Sequence, residues 1–411
     1  MFASAPVGMM RLGSGSRLQV PLAASLTQAV RHKLARPAAA SSTSTLADIA
    51  KAGAPFSAHL SSACAAVRLA SKLCQTVQLS LGDAEKEDKI DDSPVTVADY
   101  GAQAVIAWML QRADPANRLC MVAEEDSASL TAPEGRAMLE RITGLVNSII
   151  TEEDAGARLS PEDVVDLIDL GGSDGGPSGR HWVLDPIDGT RGFVGMRQYC
   201  VCLGMMQDGV MELGVLGAPN CPQGAISDAD CGPEAVQRSQ ADDCGSLFVA
   251  HRGYGSYSCA LSGDASSPLV RVRVADAPAS SAVVMESYES RHSSHSFAAS
   301  VAAEIGILAP SLRMDSQVKY GLLARGDEAR VFMRFPASTY REKIWDHAAG
   351  VVVVEEAGGK VTDAHGDRLD FSKGRYLDTM RLGIIAGPPA VHTALVAAVA
   401  AVRARTGSAS L

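Results

Sequence analysis

The run Trp182-Val183-Leu184 leads straight into Asp185-Pro186-Ile187-Asp188-Gly189-Thr190, and this string constrains the chain more than any other. An apolar strand is buried along its length, so the acids at its end are delivered to a fixed place. Pro186 removes a backbone donor and stiffens the turn, and Gly189 permits a tight bend. Two carboxylates on one turn can converge on one cation or bridge two, and the Ile187 carbonyl between them is a further oxygen ligand. Hard oxygen donors of this kind suit Mg²⁺, which keeps waters and takes substrate phosphate as well. Thr190 and the amides after it can face phosphate at a helix start.

Three more acids fit the same task. Asp91 precedes Ser93-Pro94-Val95-Thr96. Glu124 ends the short strand Cys120 to Ala123. Asp346 begins a helix in Ile344-Trp345-Asp346-His347-Ala348-Ala349-Gly350. Glu125 and Asp126 read as a solvated continuation of Glu124. Asp99 reads as a cap near the start of a helix whose N-cap is Thr96.

Apolar residues at 60, 63, 67, 70, 74, 77 and 81 mark one face of a helix. Residues 134–150 are predicted helical, and 171–179 a glycine-rich loop. Asp208-Gly209 between 201–206 and 211–216 is a hairpin signal. Residues 217–246 read as loop, with strands at 247–250 and 269–274 and a polar break at 275–280. Beyond the break, strands at 283–286, 330–334 and 382–386 alternate with helices at 296–305, 346–357 and 390–403. That alternation is α/β, while the hairpin-rich part before it is α+β. Two lobes are expected, 56–275 carrying the metal motifs and 276–411 the substrate residues.

The 411 residues carry a net charge of −10, unevenly spread. Residues 1–47 hold Arg11, Arg17, Arg31, Lys33 and Arg36 with no acid, which leaves −15 for the rest. Such an acidic body repels nucleic-acid backbones. No apolar run approaches the ~20 residues that span a bilayer. The Ala-, Ser- and Arg-rich segment 1–47 has the composition of a disordered organelle transit peptide. Its Ser/Thr-rich end favours chloroplast, with mitochondrion the alternative. Of nine cysteines, Cys200 and Cys202 alternate along a strand as core residues. Cys221, Cys231 and Cys244 lie in a polar stretch where exposed thiols are expected, free thiols being favoured over a regulatory disulfide.

The strings WVLDPIDGTRGF, SPVTVADYGAQ, VAEED and KIWDHAAG resemble those of the lithium-sensitive, magnesium-dependent phosphatases of the inositol monophosphatase superfamily. RHSSH at 291–295, DSQVKYG at 315–321 and REKIWDHAAG resemble its 3′(2′),5′-bisphosphate nucleotidase branch, particularly the plant and fungal form. The resemblance spans roughly residues 58–400. It implies the two-lobe layered sugar-phosphatase fold with the site between the lobes. It also implies two or three Mg²⁺ ions held by Glu124, Asp185, the Ile187 carbonyl, Asp188 and Asp346. Asp91 and Thr190 would orient and deprotonate the attacking water, and Thr190, His292, Ser316, Lys319 and Arg334 would hold the nucleotide. The implied reaction removes the 3′-phosphate of 3′-phosphoadenosine 5′-phosphate, and of its sulfated analogue, as part of sulfur metabolism. The protein would act as a monomer, apart from nucleic acid and membrane. Inositol polyphosphate 1-phosphatase activity and a non-catalytic nucleotide sensor are the alternatives. The chain departs from the pattern after Phe193, where Val194-Gly195-Met196-Arg197 moves the basic residue along the loop.

Overall fold

The computed structural model describes residues 43–84, 94–232, 244–289 and 293–406. The helices, in chain order, are α1 Leu46–Lys51, α2 Ser57–Ala84, α3 Pro94–Ala113, α4 Ala128–Thr131, α5 Arg136–Glu153, α6 Pro161–Asp169, α7 Thr190–Val194, α8 His295–Glu304, α9 Val318–Arg325, α10 Ala348–Glu356 and α11 Pro389–Thr406. An eight-stranded sheet is made of β1 Thr43–Ser44, β2 Met121–Ala123, β3 Arg180–Asp188, β4 Cys200–Gln207, β5 Val210–Pro222, β6 Cys244–His251, β7 Gly255–Ala260 and β8 Leu269–Val272, ordered β1-β8-β7-β6-β5-β4-β3-β2. A five-stranded sheet is made of β9 Val283–Glu286, β10 Leu312–Arg313, β11 Arg330–Arg334, β12 Lys360–Asp363 and β13 Ile384–Gly387, ordered β10-β9-β11-β13-β12.

Side-chain alternation along the strands separates the layers. Trp182 and Leu184 of β3, with Val201, Leu203 and Met205 of β4, pack on α2 and α3 in one core. Val183, Cys200 and Cys202 point the other way, into a second core filled by α9 and α10 and reached by Phe332 and Ala386 of the second sheet. The far face of the second sheet is covered by α8 and α11, through residues such as Val301, Leu395 and Val399. The order is therefore helices, sheet, helices, sheet, helices, an α+β layered fold. Close packing of these layers has a visible cost in side-chain size. A Cβ at Gly214 of β5 would lie 2.3 Å from the Ala349 carbonyl of α10, so only glycine lets that helix rest on the sheet.

The hairpin at Asp208-Gly209 forms as predicted, with φ of 50° and 79° at its two central residues. The second sheet is mixed, with β9 parallel to β10 and β11 but β13 antiparallel to β11 and β12, in keeping with the layered fold expected. Several expectations are corrected. The loop expected over 217–246 is in part strand, because β5 runs on to Pro222 and β6 starts at Cys244. Strands β7 and β12 and helices α6 and α9 were not anticipated. Helix α3 starts at Pro94, so Thr96 lies inside it and not at its cap. Residues Thr43 to Lys51 belong to the folded body: β1 pairs with β8, and Thr45 caps α1 in a reciprocal box with Asp48. The rest of the basic segment lies outside the described residues.

The thiols are also corrected. Cys221 and Cys231 are buried, and Cys244 is half-buried. Burial pushes Cys221 up and Cys231 up to about 12, which keeps them as unreactive thiols. No described helix is long and apolar enough to cross a membrane.

Candidate active site

The end of β3 builds the site. Asp185 pairs with Cys202 and Asp188 with Cys200, so three steps on β3 match two on β4. The resulting bulge at Pro186-Ile187 turns the chain and swings both carboxyls to one side. Gly189, at φ 91°, makes the left-handed turn that opens α7 at Thr190. On the other side, β2 runs parallel to β3 with Ala123 opposite Leu184, which sets Glu124 beside Asp185. A one-turn helix, Ile344–Asp346, supplies Asp346 just before α10, anchored by buried Ile344 and Trp345.

These elements enclose a cavity of about 300 Å³ lined by Glu124, Asp185, Ile187, Asp188, Thr190 and Asp346. Ser316, Lys319 and Arg334 line it as well. Ser316 holds φ 71°, unusual for a non-glycine residue and a form of strain found at functional sites. Next to it, the Gln317 amide donates to Asp188 at 2.5 Å, and its side chain bonds the Trp345 carbonyl and the Gly350 amide. Gln317 thus ties β3 to α10. Thr190 Oγ1 donates to the Ile187 carbonyl at 3.4 Å. Lys319 is buried, its Nζ donating to the Met314 carbonyl at 3.0 Å. Asp91 and His292 lie outside the described residues.

Like charges dominate the floor of the cavity. Burial pushes the Asp185 carboxyl well above its ordinary range, and Glu124, Asp188 and Asp346 push it further. Asp188 is raised to about 7, by burial and Asp346, against the pull of Lys319 and Arg334. Asp346 is raised to about 6 by burial, although Arg334 opposes this. Burial lowers Lys319 to about 8. Asp185 Oδ1 is buried with no hydrogen-bond partner. A buried carboxylate oxygen with no partner, set among other acids, is a donor suited to a cation. The all-oxygen donor set fits a hard divalent ion.

Two acids read as peripheral turn out otherwise. Asp99 is not a cap: it sits inside α3, 6% exposed, and burial beside Glu125 and Glu124 raises it well above the usual carboxylate range. Its field also reaches Asp185. The signal in the sequence was an acid between Val97-Ala98 and Tyr100, on a helix face with no other reason to be polar. Glu125 is half-buried and not a fully solvated continuation: burial, then Glu124, raise it to about 7, and its amide donates to Gln103 Oε1 at 3.2 Å. Asp126 is exposed, as expected. Lys343, which sequence reasoning passed over, bonds Glu124 at 2.9 Å. The displaced Arg197 bonds Asp315 at 2.9 Å and lies 4.0 Å over the Tyr288 ring.

The chain is similar to known proteins over most of its length. The model of the inositol monophosphatase family matches residues 59–404. A 3′(2′),5′-bisphosphate nucleotidase of Oryza sativa is 47% identical over 352 residues, covering 85% of this chain and 95% of its own. The 3′(2′),5′-bisphosphate nucleotidase 1 of Arabidopsis thaliana is 45% identical, covering 74% of this chain and 84% of its own. A 3′(2′),5′-bisphosphate nucleotidase of Emericella nidulans is 41% identical, covering 81% and 95%.

Proposed function

The chain belongs to the inositol monophosphatase family, and from that membership we propose that it is a magnesium-dependent phosphatase. It removes the 3′-phosphate of 3′-phosphoadenosine 5′-phosphate, and of 3′-phosphoadenylyl sulfate, leaving AMP or adenylyl sulfate. The observation that carries this reading is one cavity lined by five carboxylates, Glu124, Asp185, Asp188, Asp315 and Asp346, and by four cationic side chains, Arg191, Lys319, Arg334 and Lys343.

Phosphate monoester hydrolysis needs charge neutralisation and an in-line water, with little covalent work for the protein. Two or three Mg²⁺ ions, held by Glu124, Asp185, the Ile187 carbonyl, Asp188 and Asp346, would supply Lewis-acid neutralisation and make a water nucleophilic near neutral pH. The protein's part is position and proton transfer. Thr190 Oγ1 lies within hydrogen-bond reach of the Ile187 carbonyl and, with an acid of the 91–99 segment, orients the attacking water. Asp91 holds that role by resemblance. The burial of Asp99 beside Glu124 and Glu125 supports Asp99 as the proton acceptor. Lys319 and Arg334 take the 5′-phosphate that is not cleaved, Arg334 through its planar fork. Ser316 and His292 contact the same nucleotide. The basic, acid-free leader supports delivery to the chloroplast, with mitochondrion as the alternative.

The test is phosphate release by the full chain with Mg²⁺, with and without lithium. Substrates are 3′-phosphoadenosine 5′-phosphate, inositol 1,4-bisphosphate and inositol 1-phosphate. Lithium-blocked preference for the nucleotide is expected. Preference for an inositol compound overturns the substrate assignment, and silence on all three, with nucleotide still bound, favours the sensor.

A further inference from the structure

Arg334 enters the cavity from β11, and a guanidinium on a long stem needs something to aim it. Its Nε donates to Glu342 Oε1 at 2.6 Å. The other oxygen of that carboxylate, Oε2, meets His347 Nε2 at 3.2 Å, and His347 Nδ1 meets the Tyr320 hydroxyl at 2.8 Å. Every member of this chain beyond Arg334 is buried. Glu342 is 1% exposed. Burial works to raise its carboxyl, yet Arg334 and His347 hold it down at about 2, so it is an anion. Its backbone is fixed as well: the Leu377 amide donates to the Glu342 carbonyl at 2.8 Å, and the Ile344 amide to the Arg375 carbonyl at 3.0 Å.

Ligand atoms of Glu342, Asp346 and His347 lie within 4.8 Å of one another, which on spacing alone is a metal site. Arg334 already supplies the positive charge there, at 2.6 Å from Glu342 and 3.7 Å from Asp346. The unequal distances carry the point. Glu342 grips the Nε side of the guanidinium at 2.6 Å, while Nη2 stands at the longer distance of 3.7 Å from Asp346 Oδ2. The Nη edge is thereby turned to the cavity that Arg334 lines.

We propose that Glu342 is a positioning residue that aims the Arg334 fork at the uncleaved phosphate. This rests on the nucleotidase reading given above. Without the Glu342 charge, nothing holds the Nε side of the guanidinium, and the fork loses its aim at the phosphate.

The test is calorimetric binding of AMP with Mg²⁺ present, alongside kinetics. AMP keeps the 5′-phosphate and lacks the scissile one. Glu342→Gln is expected to weaken AMP binding about tenfold or more, as loss of a charge-assisted bidentate contact does. It is also expected to raise the KM for 3′-phosphoadenosine 5′-phosphate by a similar factor, and to leave kcat/KM for 3′-AMP, which has no 5′-phosphate, within about threefold. Glu342→Asp keeps the charge on a shorter stem and is expected to fall between the two, even if the glutamine variant folds poorly. AMP binding unchanged in either variant overturns the proposal, as does an equal loss for 3′-AMP, which would mark Glu342 as structural. Wild-type protein that binds no AMP would remove the nucleotidase reading itself, a result distinct from these.

Discussion

Asp185→Asn separates the cost of the acidic site from its use. In the metal-free protein the Asp185 carboxyl is buried, its Oδ1 unpaired, and the neighbours acting on it are Glu124, Asp188, Asp346 and Asp99. Folding therefore favours its protonated form, while the unfolded chain releases the proton near 3.8. For an acid raised in this way, the folded state binds the extra proton, so stability falls as pH rises above 3.8. For as long as the folded state holds the proton, the cost grows by about 1.4 kcal/mol for each pH unit above 3.8. Asparagine carries no such cost. With about 2 cal/mol/K of unfolding entropy per residue, the body from Ser42 to Leu411 converts each kcal/mol gained into a Tm rise of roughly 1.4 °C. Scanning calorimetry in chelator should show the variant melting higher than wild type, by an amount that grows from pH 5 to pH 8. With Mg²⁺ the order should reverse, because wild type gains bound-ion stability that the variant lacks, and turnover should be lost. A variant that melts at or below wild type in chelator at pH 8, or that keeps turnover while folded, refutes the assignment.

Lys319→Ala should raise the KM for 3′-phosphoadenosine 5′-phosphate about tenfold while moving that for inositol 1-phosphate little, in steady-state phosphate release; equal effects would deny Lys319 a role at the second phosphate. His392 lines a separate cavity with Lys360 and Thr362 and titrates in the opposite sense to the acids. Burial and Lys360 lower it to about 4, and its Nε2 meets Thr362 Oγ1 at 2.9 Å. The unfolded state gains a proton near 6.5 that the fold refuses, so stability should drop by about 3 kcal/mol between pH 6.5 and pH 4. His392→Gln should flatten that slope in pH-dependent denaturant melts, and an unchanged slope would assign the loss elsewhere.

Local signals carried the site further than they carried the fold. The apolar run into Asp185 and the turn at Asp188-Gly189 are decided within a few residues, so they were legible in sequence. So was Asp208-Gly209, whose turn chemistry does not depend on partners. Strand β7, Gly-Ser-Tyr-Ser-Cys-Ala, shows little β propensity and exists because β6 and β8 flank it. Strand β12 is only four residues long, too short for any period to show. Asp99 was misread for a related reason: a carboxylate near a helix start is usually a cap, and only the approach of Glu124 and Glu125 from another element reveals its setting. Glu342 looked like one more charge in Arg341-Glu342-Lys343. Alternate side chains there face opposite ways, Glu342 to Arg334 and Lys343 to Glu124, a division of labour that needs the neighbouring strands.

The eight-stranded sheet begins, in chain order, at its outer edge. Six strand spacings separate β1 from β3, so Thr43 lies roughly 29 Å across the sheet from the line of Asp185. A peptidase trimming the chain before Thr43 would leave every hydrogen bond described above in place. One cutting after Thr45 would strip the edge strand off β8 and uncap α1, at a cost of about 1 kcal/mol for the cap alone. The fold thus sets the last position at which an N-terminal segment could be removed with these bonds intact, and it does so at the sheet edge opposite the one that carries the site.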